Sequence, residues 1–266
     1  MLRLMLAGAL SAICLTVSAQ AQQGPVPSQC LAIAQSLPQV QFASFTLAQA
    51  QASEVTITYA GHSTYVIETP GGVTVATDYS GVYGTDPVPR VVTMNKAHST
   101  HFTNYPNPEI EYVLPGWNPE GGPAEHRVVV DDIYIRNVPT DIMRGGWLEE
   151  SGNSIFIFEV ADLCIGHLGH LHHQLTDEHY AAIGRLDIVM VPIDGGLTLS
   201  ADTVTSIVKR LFSSIVLPMH RNSTPLSEFT SRMGSEFALE FMEGNSFTVS
   251  LRTLPRRPTI RIPSRL

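Results

Sequence analysis

Short apolar, β-branched runs set off by polar and turn residues dominate the chain from Val55 onward. Val55-Thr56-Ile57-Thr58-Tyr59, Thr64-Tyr65-Val66-Ile67-Glu68 and Val73-Thr74-Val75-Ala76-Thr77 read as strands, with Pro70-Gly71-Gly72 as a hairpin turn between the last two. Arg127 to Val130, Ile133 to Val138, Ser154 to Val160 and Leu163 to Ile165 have the same length and punctuation. Two later runs, Ile188 to Pro192 and Ile215 to Pro218, are apolar without interruption, as expected of strands buried on both faces. Helical spacing appears between and after them. Thr176 is placed to cap a helix running through Ile183. Ser200 opens another, in which Val204, Ile207, Val208 and Leu211 share a face. Leu226 to Phe241 reads as the last helix. A hairpin-rich first part followed by strand–helix alternation suits two sheets packed face to face with helices outside.

The N-terminus has the texture of a secretion signal. Met1-Leu2-Arg3 is a short positive region, Leu4 to Val17 is apolar and includes Cys14, and Ser18-Ala19-Gln20-Ala21 offers small residues at a cleavage site. Cleavage after Ala21 leaves about 245 residues, one large domain's worth, with no further apolar stretch long enough to span a bilayer. The expected location is therefore the periplasm or the medium. Residues 22–53 are rich in Gln, Ala and Ser and carry one candidate helix, Ser28 to Leu37.

Charge narrows the choice of partners. The formal net charge is −8, and losing Arg3 with the leader takes it to −9, a field that disfavours nucleic acid and anionic membrane. Arg252, Arg256, Arg257, Arg261 and Arg265 form a basic, proline-interrupted tail over 252–266 that reads as a solvated terminus. Cys30 and Cys164 outlast the leader. They can pair in an oxidising compartment, or Cys164 can serve as a small hydrophobe in its strand.

The chemistry is concentrated in histidine. Four of ten lie within seven residues, His167, His170, His172 and His173; His98 and His101 form an earlier pair, and His220 follows the run at 215–218. Three histidine-bearing loops, each after a candidate strand, predict convergence on a metal ion, since imidazole is the commonest metal ligand. His126 and His179 read as surface residues.

Ile57 to Thr69, with its Gly61-His62-Ser63 motif, resembles the opening hairpin of the metallo-β-lactamase superfamily, nearest its lactonase-like branch. Val73 to Asp78 is similar to that family's third strand, and Asp187 to Gly196 with Ile215 to His220 is similar to its C-terminal half. The resemblance implies a four-layer αββα sandwich over 54–251 with metal ligands at one edge. It also exposes departures. Where the family carries His-x-His-x-Asp-His, the chain reads Lys96-Ala97-His98-Ser99-Thr100-His101. Gly166-His167 stands for a Gly-Asp pair, and Val138-Pro139-Thr140-Asp141 lacks the expected histidine. Lys96 is either an electrostatic clamp for an anion or a solvated loop lysine.

The ligand set that follows is His98, His101, His167 and His220. Asp141, His170, His172, His173 and His62 are further candidates for ligation or for orienting the ligands. Such a set suits one zinc ion, with iron, nickel and copper also compatible. The implied activity is that of an exported metal-dependent hydrolase. It would activate water on a mononuclear site, with no protein base assigned, to cleave an ester, lactone, amide or phosphoester bond of a small, anionic substrate. The alternative is a catalytically silent relative that binds metal or a small ligand at the same edge.

Overall fold

The computed structural model describes residues 28–31 and 53–266. The expected signal at 1–21 lies outside these residues, as does most of the expected helix Ser28–Leu37; Ser28 to Leu31 themselves are not helical.

Strands β1 (Val55–Gly61), β2 (Thr64–Glu68), β3 (Thr74–Ala76), β4 (Val91–Met94), β5 (Tyr112–Pro115) and β13 (Ser246–Val249) form a six-stranded sheet in the order β13-β1-β2-β3-β4-β5. The second sheet contains β6 (Arg127–Val130), β7 (Ile133–Arg144), β8 (Trp147–Val160), β9 (Leu163–His167), β10 (Ile188–Pro192), β11 (Ile215–Met219), β12 (Ala238–Phe241) and β14 (Thr259–Ile262). Its order is β12-β14-β11-β10-β9-β8-β7-β6. Among the described residues, three helices follow the expected caps or openings: α1 (Asp177–Ile183) after Thr176, α2 (Ala201–Leu211) after Ser200, and α3 (Leu226–Met233).

The two sheets bury one core between them and a second beneath the helices. Ile188 and Met190 of β10, with Ile215 and Leu217 of β11, face Ile57, Val75 and Val91 of the six-stranded sheet. Val189, Val191 and Val216, the alternate residues, pack against Val204, Ile207 and Val208 of α2 and Phe229 of α3. Strand periodicity explains why these runs lack polar positions: each neighbouring side chain enters a different core. Among the described residues all three helices belong to the second core. Loops carrying Tyr79, Phe102, Ile110 and Trp117 cover part of the six-stranded sheet near β3 and β4.

Two expectations are corrected and one open alternative is settled. The last helix stops at Met233, where Gly234 adopts a φ of 74°, and the chain returns as edge strand β12 rather than continuing helically to Phe241. The basic tail is no solvated terminus: Thr259–Ile262 is β14, between β11 and β12, because its β-branched residues complete the inter-strand pairing. Arg261 pairs with Glu240 at 2.8 Å on the neighbouring strand. Cys30 and Cys164 form a disulfide, with Cα atoms 5.9 Å apart. Of the two readings of Cys164, pairing holds and the free hydrophobe does not. The bridge holds the Ser28–Leu31 segment against a buried pair, Arg136–Glu159 at 2.8 Å, whose carboxylate also accepts from Ser28 and the Gln29 N–H.

Candidate metal centre

Parallel strands place their following loops at a common edge, and this topology assembles the site. β9, β10 and β11 run parallel, so the segments after them deliver His170, Asp194 and His220 together. From the facing sheet, Asp78 follows β3, while Asn95, His98 and His101 follow β4, which is parallel to β3. His62 enters from the β1–β2 turn. His62, Asp78 and His220 all have positive φ, near 50°, an uncommon conformation that turns each side chain out of its strand.

One ligand nitrogen from each of His98, His101, His170 and His220 lies within 4.8 Å of the other three. His101, His170 and His220 are buried, and His98 forms the exposed side. Two carboxylates hold this group from behind. Asp78 accepts from His101 Nδ1 at 2.8 Å and from Asn95 Nδ2 at 2.7 Å. Asp194 accepts from His220 Nδ1 at 2.8 Å, from Thr198 Oγ1 at 2.6 Å and from the backbone N–H groups of Gly196, Leu197 and Thr198. Burial pushes both carboxyls up, but these partners outweigh it and hold both well below the usual carboxylate range. Each bond orients its imidazole with Nε2 towards the centre. Those Nε2 atoms, on His101 and His220, are buried and have no hydrogen-bond partner among the described residues.

Burial, reinforced by neighbouring imidazoles, lowers His98 and His62 to about 4 and His170 to about 2. All three are neutral near pH 7, the state a metal requires.

His98, His101 and His220 meet as the sequence suggests, but His167 does not join them. Its Nε2 donates to the Ser63 carbonyl at 2.8 Å and its Nδ1 accepts from the Gly169 N–H, so both nitrogens are occupied inside the core. The Gly-His pair that reaches the centre is Gly169-His170, three residues later. Gly169 is required there: with φ at 62°, a Cβ would lie 2.3 Å from Asn153 Oδ1 and 2.5 Å from Asn95 Nδ2. That close approach seats the loop and brings His170 inward.

Asp141 is likewise no ligand of this group, since its carboxylate accepts from the Ser151 N–H within the β7–β8 hairpin. His172 and His173 turn to the same hairpin, accepting from the N–H groups of Met143 and Asp141. His62 sits beside the group, its ring 4.4 Å from that of His220. Thr100, where the resemblance leads one to expect an aspartate, bridges His98 Nδ1 at 2.7 Å and His62 Nε2 at 3.0 Å. Lys96 is a partly solvated loop lysine that pairs with Glu149 at 2.5 Å. His126 is partly buried, donating to the Pro115 carbonyl at 2.7 Å, and His179 closes the capping box of α1.

Sequence reasoning overlooked Asp78 and Asp194 as orienting groups. Each ends or follows an apolar strand run, a position at which a carboxylate reaches a sheet edge; that was the available signal.

Comparison with known proteins places these features. A family model of the beta-lactamase superfamily domain matches residues 56–220. Comparison with curated proteins gives no match. Among solved structures, a metallo-beta-lactamase superfamily protein from Thermotoga maritima, proposed to be a Zn-dependent hydrolase, superposes with a TM-score of 0.57 at 22% identity, covering 79% of this chain and 98% of that one. A metallo hydrolase from Ignicoccus hospitalis gives 0.55 at 18% identity over 74% and 99%. A proposed metal-dependent hydrolase from Parabacteroides distasonis gives 0.54 at 13% over 68% and 89%. At these identities the solved structures establish the fold alone. With the family model spanning more than half of its length, from β1 to His220, the chain belongs to the metallo-β-lactamase superfamily.

Proposed function

We propose that the protein is an exported, metal-dependent hydrolase with a mononuclear, histidine-only site, acting on an ester, lactone, amide or phosphoester bond of a small molecule. The observation that carries this reading is the pair of buried, partnerless Nε2 atoms on His101 and His220, inside a group of four convergent imidazoles. Such atoms cost free energy unless something accepts their lone pairs. A zinc-sized ion does so, and His98, His101 and His220 are the residues that would hold it. When bound, the ion supplies a Lewis acid and an activated water. Asp78 and Asp194, each one imidazole removed, orient the ligands and together balance the charge of a divalent ion. Zinc is the first choice, and imidazole ligands equally admit iron, nickel or copper.

Export is supported by the leader-like N-terminus and by the Cys30–Cys164 bridge, which suits an oxidising compartment. No helix among the described residues is long and apolar enough to cross a membrane.

The test is elemental analysis of the purified mature protein, followed by assays on ester, lactone and phosphoester substrates before and after chelation. About one metal equivalent per chain is expected, with turnover lost on chelation and restored by the metal. Absence of bound metal overturns the reading. Tight stoichiometric metal without turnover on any substrate class points instead to a metal-binding relative.

A further inference from the structure

We infer that three of the four imidazoles ligate the metal, while the fourth, His170, directs an N–H towards the open position, where it binds an oxygen of an anionic ligand or substrate. This rests on the metal-binding reading above and goes further by assigning His170 a role other than ligation.

A backbone N–H can only donate, and this fixes the protons of the whole cluster. The Met143 N–H donates to His172 Nδ1, so that nitrogen carries no hydrogen. A neutral imidazole holds one hydrogen, which on His172 must therefore sit on Nε2. It is donated to His170 Nδ1, 2.5 Å away. His170 in turn carries its hydrogen on Nε2, directed at His98 Nε2 at 3.1 Å. His98 then has a bare Nε2 and an Nδ1–H, which donates to Thr100 Oγ1; the Thr100 hydroxyl donates onward to His62 Nε2. Every link agrees with the one before it.

His101 and His220 reach the same state by another route. Their Nδ1–H groups are committed to Asp78 and Asp194, which leaves both Nε2 atoms bare. Three imidazoles thus present lone pairs to the centre and one presents a hydrogen. The His170 ring stands nearly perpendicular to those of His98, His101 and His220, at 84°, 85° and 88°, with centroids 4.6 to 4.9 Å away. For His170 to ligate through Nε2, its hydrogen would have to move to Nδ1. His172 would then carry its own on Nδ1, facing the Met143 N–H donor to donor. Ligation by His170 thus requires the hairpin at Met143 to let go.

Three nitrogen ligands with an open fourth position form a catalytic zinc pattern, and a fixed donor beside that position favours an anionic oxygen there. His170 is on this account a ligand-recognition residue.

The experiment uses the full mature chain loaded with Co(II), whose visible bands report its ligands, with acetate as the anionic probe. His98→Ala, His101→Ala and His220→Ala are expected to lower metal affinity about a hundredfold or more. His170→Ala should keep one equivalent, with affinity within a few fold of wild type and unchanged Co(II) bands, but bind acetate about tenfold more weakly. His172→Ala leaves His170 in place and removes the restraint on its hydrogen, so its Co(II) bands should shift as a fourth nitrogen enters. Wild-type protein that takes up no metal overturns the metal reading and this inference with it. Wild-type protein that binds one equivalent, with His170→Ala losing it as completely as His220→Ala or with altered bands, overturns this inference alone. Unchanged bands in His172→Ala also count against it.

Discussion

Replacing Asp78 with asparagine tests how the site is built, because the change is nearly isosteric and its consequence follows from hydrogen-bond direction. Asp78 is fully buried and accepts two bonds, one from His101 and one from Asn95. Asn95 cannot turn its amide over, since its Oδ1 already accepts the Ser154 N–H at 2.8 Å. An asparagine at position 78 therefore has two orientations, each with a defect. With its oxygen towards His101, its NH2 meets the Asn95 NH2, leaving donors unsatisfied at about 1–3 kcal/mol. With its NH2 towards His101, it forces the imidazole hydrogen onto Nε2, the atom needed for the metal. Loss of such an orienting partner lowers metal affinity about 10- to 100-fold, equivalent to about 1.4–2.7 kcal/mol. Chelator competition on Asp78→Asn, with circular dichroism to confirm folding, measures the effect. Affinity within twofold of wild type in a folded variant would refute the account of Asp78 as the group that orients His101.

Other outcomes follow from the same geometry. His220→Ala should lose most bound metal by elemental analysis while His126→Ala, whose ring bonds to Pro115 away from the cluster, keeps it; equal retention in both would contradict the site. Gly169→Ala should weaken acetate binding to the metal-loaded, still-folded protein, because the added carbon collides with Asn153 and Asn95 and shifts His170; unchanged acetate binding would show that the loop does not need the close approach. Cys30→Ser, which opens a bridge spanning a sequence separation of 134 residues, should lower stability by about 2–5 kcal/mol in urea unfolding, and an unchanged midpoint would discount the bridge. The metal-free protein should lose stability on acidification. His62 and His98 titrate at about 4 in the fold against about 6.5 unfolded, so the unfolded chain takes up protons first. The stabilisation is complete above pH 6.5 and drains as pH falls towards 4. His170, at about 2, extends the loss, and the depressed Asp78 and Asp194 add to it below about 3.8. A higher urea midpoint at pH 5 than at pH 7.5 would reverse the sign and refute this.

Periodicity and local chemistry were sufficient for much of this protein. The run from Ile188 to Pro192 and the run from Ile215 announced strands buried on both faces, and the caps at Thr176 and Ser200 began helices where their side chains could satisfy free N–H groups. The histidines at 98, 101 and 220 were legible as a group because each follows an apolar strand, and parallel strands end at one edge. What sequence order could not decide was which member of a dense run turns inward. His167 and His170 are three residues apart in similar surroundings; the choice between them depends on Ser63 offering a carbonyl to one and on Asn95 and Asn153 leaving space beside Gly169 for the other. The imidazole partners of Asp78, Asp194 and Met143 are likewise remote in sequence. The ring nitrogen that keeps its hydrogen is set by a contact 29 residues away, between His172 and the Met143 N–H, and only the folded chain makes that contact.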